Sequence, residues 1–470
     1  MPETYDVAVV GVGVVALAVA QELLARGLTV AVIGPYGGEH AGQATRAAGA
    51  MLSTFSEIEP GHPAERVAVE TGERLAAHQA YPLWLSRLAA SGEPAVSTVA
   101  GTWVLAPAGR LAQLAPIAAA ARAAGHPAEE HDAGQIPGLR TPVDTAGALW
   151  LPTEARIDSG ALMQALSRVV RRHPRAAWHD TTATAVTTGI ARCADGTRVE
   201  AGDVVLAAGA ATASLLEQAG RRVGVPPILA GRGASVLLHA PAISVPHVVR
   251  TPNAAFACGA HLVPRADGTV YLGATNRLTT SADFTRPVTL DELAVLAADA
   301  STLLDHRLAG AQLCSHRVGL RPYTVDHLPL LGRTRDPGLL VATATYRCGV
   351  LLAPRIAALI ADEITAPGAL DDHPYRVLRP MPTPTAGDAL DAGAAQALIE
   401  HLLQGGASLP AAAAEQFAGF VELALRVLLD DACAQGAALR RLWHSAPVVE
   451  VVPALFALPR RMKGTPDADR

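Results

Sequence analysis

The hydrophobic pattern opens with a strand from Tyr5 to Val10, a glycine turn, a helical stretch to Ala25 and a second strand from Leu28 to Ile33. That order predicts a β-α-β unit at the N-terminus. Further along, Ser97 to Val104 and His261 to Thr275 are rich in β-formers and partly alternate, as strands of an antiparallel sheet do. Thr184 to Thr188 reads as another strand, and Gly202 to Ala210 as a buried strand that ends in a turn at Gly209. Past Ile364 the pattern changes. Pro367, Pro374, Pro380, Pro382 and Pro384 read as an extended linker or a strap, followed by helical segments at about 386–403 and 410–435. The second of these carries Phe417, Phe420, Val421, Leu423, Ala424, Val427 and Leu428, a wide apolar face.

Composition narrows the class. Half of the 470 residues are apolar and 17% are charged, so the chain can bury a large core and is not a disordered protein. Its length suggests about three domains, or an interleaved pair with an appendage. Lys and Arg total 38 against 43 Asp and Glu, a net charge of -5, which argues against nucleic acid or an anionic membrane as the main partner. Small molecules or other proteins are expected instead. The only lysine is Lys463, so no lysine in the body of the chain can act as a Schiff-base nucleophile. Five widely spaced cysteines without a CxxC pair predict neither a disulfide framework nor a zinc site, and point to a reducing cytoplasm. The apolar run Val7 to Ala20 follows Glu3 and Asp6 and contains Gly11 and Gly13, so it reads neither as an export signal nor as a membrane span.

Gly11-Val12-Gly13-Val14-Val15-Ala16, set between strand and helix, is the pattern G-x-G-x-x-A. It implies a tight turn at Gly11, a bare backbone at Gly13 that admits a pyrophosphate, and a small residue at Ala16 where helix and strand close up. The second strand lacks the usual terminal acid: Ile33 runs into Gly34 and Pro35, and Glu39 lies further on. Glycines alone do not separate NAD from FAD. No G-x-S-x-G elbow, HExxH or metal-spaced carboxylate cluster appears, and no metal is expected.

Three further segments carry a resemblance. They are Ala44 to Leu52, Gly202 to Ala210, and the pair Gly319-Leu320-Arg321-Pro322-Tyr323-Thr324-Val325-Asp326-His327-Leu328-Pro329-Leu330-Leu331-Gly332 and Tyr346-Arg347-Cys348-Gly349-Val350-Leu351-Leu352-Ala353-Pro354. Together they resemble the FAD-dependent D-amino acid oxidase superfamily, most closely its glycine oxidase branch, over about residues 5 to 364. The resemblance implies an α/β fold: a Rossmann-like FAD-binding domain interleaved with an α+β substrate domain of mostly antiparallel sheet. The flavin domain is expected at 1–85, 156–230 and 321–364, the substrate domain at 86–155 and 231–320, and a linker with a helical extension at 365–470.

Carried over, the resemblance gives Gly11, Gly13 and Ala16 to the pyrophosphate and Thr45, Arg46, Ala48, Gly49 and Met51 to the loop that passes the flavin. Val186 would meet the adenine through its backbone, Gly209 closes the strand turn, and Cys348, Gly349, Val350 and Leu351 form the helix start beside the isoalloxazine. Arg321 would take a substrate carboxylate, with a loop arginine in solvent as the plain alternative; Arg347 and His261 are the other substrate-side candidates, against a chance match in an arginine-rich chain for the first and a surface histidine for the second. Cys348 is expected to be an inert small side chain rather than a reactive thiol. A cysteine tethers the flavin in sarcosine-oxidase relatives where Arg321 stands here, so a non-covalent FAD is expected. The implied activity is oxidation of the C–N bond of a small amino acid or amine, with hydride passing to flavin N5 and oxygen reoxidising it. A dehydrogenase with another acceptor and a non-catalytic binding subunit are the alternatives. The extension is expected to cap its own subunit or a second copy, with a docking surface for a protein partner as the alternative.

Overall fold

The computed structural model describes residues 4–379, apart from 37–41, 59–63, 143–144, 221–223, 227, 254–258, 280–281 and 325. The helical segments expected at 386–403 and 410–435 lie outside the described residues, as does Glu39.

The opening strand, Thr4–Val10, lies between Val30–Ile33 and Arg198–Leu206, parallel to both. Ala176–His179 extends the sheet beyond Val30–Ile33, and Leu339–Thr343 extends it on the other side. An antiparallel strand, Leu330–Arg333, closes that edge. A parallel sheet is covered on both faces, and the side chains divide accordingly. Val7, Val9, Val30, Val32, Val205 and Leu340 pack on one core, while Ala8, Val10, Ala31, Ile33, Val204 and Leu206 pack on the other. The first core is roofed by the helices Val14–Ala25, Ala64–Ala90 and Gly349–Thr365.

The second sheet is mostly antiparallel and contains eleven strands among the described residues. Thr98–Pro107 pairs with Thr145–Ile157, and His261–Pro264 with Val270–Gly273. The long strand Leu229–His239 pairs along its length with Gln312–Tyr323, placing Gly231 opposite Arg321 and Gly233 opposite Gly319. The segment Ala44 to Leu52 is more structured than its composition suggests. It holds a single helical turn, Ala44–Ala47, between two-residue strands, Gly42–Gln43 and Met51–Leu52, that join the second sheet.

Arg321 corrects one sequence expectation. The following proline suggested a loop, yet Arg321 and Pro322 belong to the strand Gln312–Tyr323. Proline is tolerated there because the outer neighbour, Gly42–Gln43, pairs only with Gly319 and Leu320, so by Pro322 that side of the strand carries no ladder.

Candidate active site

A cavity of about 620 Å³ runs from the β-α-β turn to the contact between the two sheets. At its nucleotide end Gly11 has φ +127°, and a Cβ there would lie 2.4 Å from the Ala207 carbonyl oxygen, so glycine is required by packing as well as by the turn. Gly13 differs. A Cβ would meet only Thr45 Oγ1, at 3.6 Å, so this backbone faces open space and leaves room for a phosphate. Thr45 Oγ1 accepts the Val14 N–H at 3.3 Å across the start of the helix Val14–Ala25. The donor set at this helix N-terminus suits a pyrophosphate. Ala16 is fully buried against the sheet and does not line the cavity.

Ile33, Gly34 and Pro35 line the cavity at the place where the sequence lacks the usual strand-end acid. The next residue, Tyr36, is fixed by Asp180, which accepts its N–H at 2.8 Å, and by the Arg171 guanidinium 3.8 Å from its ring centre. Ala183 and Thr184 line the cavity, whereas the side chain of Val186 is buried in the sheet core. Gly209, with φ +59°, lines the cavity and its carbonyl accepts from Thr343 Oγ1 at 3.1 Å.

The flavin-side candidates separate into two groups. Thr45, Ala48, Gly349 and Val350 line the cavity. Met51 packs instead with Val248, Val263 and Tyr271; a Cβ on Gly49 would come 3.0 Å from Tyr271; and Leu351 is buried in the helix core. Arg46 does not line the cavity, but its carbonyl accepts from Arg317 Nη1 at 2.8 Å. The turn into the helix Gly349–Thr365 is unusual: Ala344 and Tyr346 both adopt positive φ, +60° and +46°. Cys348 sits just before the helix, outside the main cavity, and burial pushes its thiol up to about 11 despite the pull of Arg74.

Arg321 and Arg347 both reach the cavity, but their surroundings differ. Arg347 Nε lies 2.9 Å from Glu57 Oε2. On its other oxygen Glu57 accepts from the fully buried Arg250 at 2.5 Å. Burial alone would raise the Glu57 carboxyl, but Arg250, Arg347 and Arg74 outweigh it and hold it at about 2. Arg347 is thus one of two arginines paired with a single buried carboxylate rather than an open anion receptor. Arg321 has no acidic partner among the described residues; its Nη1 donates to Thr275 O and Asn276 Oδ1, both at 3.1 Å.

His261 is neither on the surface nor at the main cavity. It is 3% exposed, stacks on Tyr271 at 5.6 Å, and shares Nδ1 with the Gly259 carbonyl at 3.1 Å. Burial, followed by the Arg250 charge, pushes its imidazole down to about 3, so it is neutral over the ordinary pH range. Glu57, Arg250, Asn276 and Gly233 were missed in the sequence. A buried Arg and Glu far apart in a chain carry no spacing signal, and Gly233 stands in an otherwise ordinary strand.

The family described as FAD dependent oxidoreductase matches this chain over residues 6–363. The chain belongs to that family. As a family member it is similar to the Bifunctional protein ThiO/ThiG of Trichormus variabilis, at 29% identity over 393 residues, which cover 77% of this chain and 53% of that protein. It is also similar to the glycine oxidase of Geobacillus kaustophilus, at 27% identity over 401 residues, covering 81% of this chain and 98% of the relative. The crystal structure of glycine oxidase from Geobacillus kaustophilus superposes with a TM-score of 0.70 at 26% identity, over 81% of this chain and all of that one. The chain spans about half the length of the first curated relatives it matches. No described helix of this FAD-dependent oxidoreductase is long and apolar enough to cross a membrane.

Proposed function

We propose that this FAD-dependent oxidoreductase oxidises the C–N bond of a small amino acid or amino-acid derivative to an imine, with oxygen as the final acceptor. The observation that carries the reading is Arg321, a cavity-lining guanidinium with no acidic partner among the described residues. A guanidinium of that kind suits a substrate carboxylate, because its planar fork matches two oxygens at once. Residues 6–363 fall within the FAD dependent oxidoreductase family, and the similar proteins include glycine oxidases.

Thr45, the Gly13 backbone and the start of Val14–Ala25 would hold the pyrophosphate, and the helix start at Gly349 and Val350 would face the ring system. The helix N-terminus stabilises negative charge that develops beside it. Bound FAD supplies the two-electron acceptor for the substrate's α-hydrogen. The chain's part is placement: Arg321 fixes the carboxylate, and Tyr346 and Gly349 bound the space beside it. His261 plays no acid-base part in this scheme, because it does not line the main cavity and burial makes its imidazole a poor proton acceptor. The imine product then hydrolyses in water.

No cysteine among the described residues lines the main cavity, which supports a non-covalent FAD. Acid precipitation should therefore release all the flavin into the supernatant; yellow colour retained in the pellet would contradict this. The same reading divides the chain into a flavin domain at 1–85, 156–230 and 321–364 and a substrate domain at 86–155 and 231–320. The free thiols Cys193, Cys314 and Cys348 suit a cytoplasmic enzyme.

An absorption spectrum of the purified protein, taken before and after anaerobic addition of pooled glycine, D-amino and L-amino acids, tests the function. Flavin bands that bleach with one pool are expected. A protein that takes up no FAD, or whose flavin no pool reduces, would overturn the reading.

A further inference from the structure

We propose that Asn276 is a positioning residue that gives the site its preference for an anionic substrate, by holding Arg321 in place without neutralising it. The inference rests on the reading of Arg321 as the partner of a carboxylate. Its basis is the surroundings of the guanidinium. The group lies over Gly233, where a Cβ would stand 2.1 Å from Arg321 Nη1. The strand is bare there, and the arginine occupies the space.

On one side Nη1 donates to the Thr275 carbonyl and to Asn276 Oδ1, each at 3.1 Å. Thr275 is itself fixed to the strand beneath, because its N–H donates to the Ala234 carbonyl at 3.1 Å and its Oγ1 accepts the Ala234 N–H at 2.8 Å. At the far end of its amide, Asn276 Nδ2 donates to the Tyr346 hydroxyl at 2.7 Å. The amide orientation follows from chemistry: only an oxygen can receive Nη1, and the NH₂ group then has an acceptor in Tyr346. Asn276 is 7% exposed and spans the gap between the guanidinium and the turn that starts the helix Gly349–Thr365.

Both bonds use one terminal nitrogen, and no described residue takes the other donors of Arg321. They are left for a ligand. A carboxylate at position 276 could reproduce the bond to Nη1, but it would also cancel the positive charge that attracts the substrate. The neutral amide supplies orientation alone. The substrate class that follows is an amine bearing a free carboxylate, in preference to the corresponding amide or ester.

The test uses the FAD-loaded enzyme and two probes, acetate and acetamide, titrated by their perturbation of the flavin spectrum, together with steady-state kinetics on the amino acid that bleaches the native protein. Asn276→Asp is isosteric. It is expected to weaken acetate binding and raise KM by about tenfold or more, equivalent to about 1.4 kcal/mol, while kcat changes by less than about threefold. The preference for acetate over acetamide should shrink with it. Gly233→Ala provides a second route, because the new methyl displaces the guanidinium while Asn276 and all charges remain; the same loss of acetate preference is expected. Asn276→Asp that binds acetate as tightly as the native enzyme would overturn the inference. So would equal losses for both probes with release of FAD, the signature of a merely structural role. If the native protein bound acetate no better than Arg321→Ala does, the reading of Arg321 would itself fall, and the inference with it.

Discussion

At the scale of single residues, the site is decided by which charges are already matched. Arg250 and Arg347 share Glu57, so their attraction is spent inside the protein. Glu57→Gln would remove the buried carboxylate that both guanidiniums share, and a loss of about 3–5 kcal/mol in unfolding free energy is expected by chemical denaturation. The same group predicts acid sensitivity. Its carboxyl ordinarily titrates near 4.5 and is held at about 2 in the fold, so the unfolded chain takes up the proton first. Its contribution to stability is therefore full above about 4.5 and is lost as pH falls through 2. His261 acts in the same direction from a higher pH, losing its contribution between its ordinary 6.5 and about 3. The melting temperature of the native protein should decline as pH falls below 6.5, and His261→Asn should flatten the upper part of that decline. The sequence named both cavity arginines because they sit inside recognisable motifs. It could not say which was free, since the deciding acid, Glu57, comes from a distant loop with no pattern of its own.

Individual elements show how local chemistry supports the site. Pro354 lies within the helix Gly349–Thr365, where its missing N–H leaves the Val350 carbonyl without its helical partner. The buried hydroxyl of Tyr81, from the helix Ala64–Ala90, donates to that carbonyl instead. Tyr81→Phe should leave it unsatisfied at the first turn of the helix that faces the cavity, and a loss of about 1–3 kcal/mol is expected in thermal or denaturant unfolding. A different imbalance marks Asp299, at the end of the helix Leu290–Asp299, where burial raises the carboxyl to about 6 against the weaker pull of Arg110. A raised carboxyl contributes stability below its ordinary 3.8 and loses it as pH rises through 6, so Asp299→Asn should raise the melting temperature at pH 8 and change it little at pH 4. The first strand and helix were legible because periodicity and glycine spacing agree with each other. The strand that holds Arg321 was not, because a proline dominates the local reading, and only the short reach of its neighbour Gly42–Gln43 permits one there.

Across the whole molecule, the described chain ends by returning to the site. Val377 N–H donates to the Leu331 carbonyl at 2.8 Å, and Arg379 grips Asp326 with two bonds of 2.7 Å while also reaching the Leu328 and Pro329 carbonyls. Asp326 belongs to the loop whose next residue, His327, packs edge-on to Tyr346 at 4.9 Å. Arg379→Ala should therefore destabilise the protein and expose the amides of Asp326, His327 and Leu328 to faster exchange, measurable by mass spectrometry. Had the sheet around the nucleotide end been a separate unit, such a tie would matter little. Its central strand, Thr4–Val10, instead waits between Val30–Ile33 and Arg198–Leu206, and the latter in turn pairs with Leu339–Thr343. During synthesis the first apolar strand therefore emerges long before its neighbour, and the wall bearing Gly349 comes last. Until then the nascent chain holds an opening strand without one of its two neighbours and an incomplete cavity, so FAD capture must wait for synthesis to pass Val350.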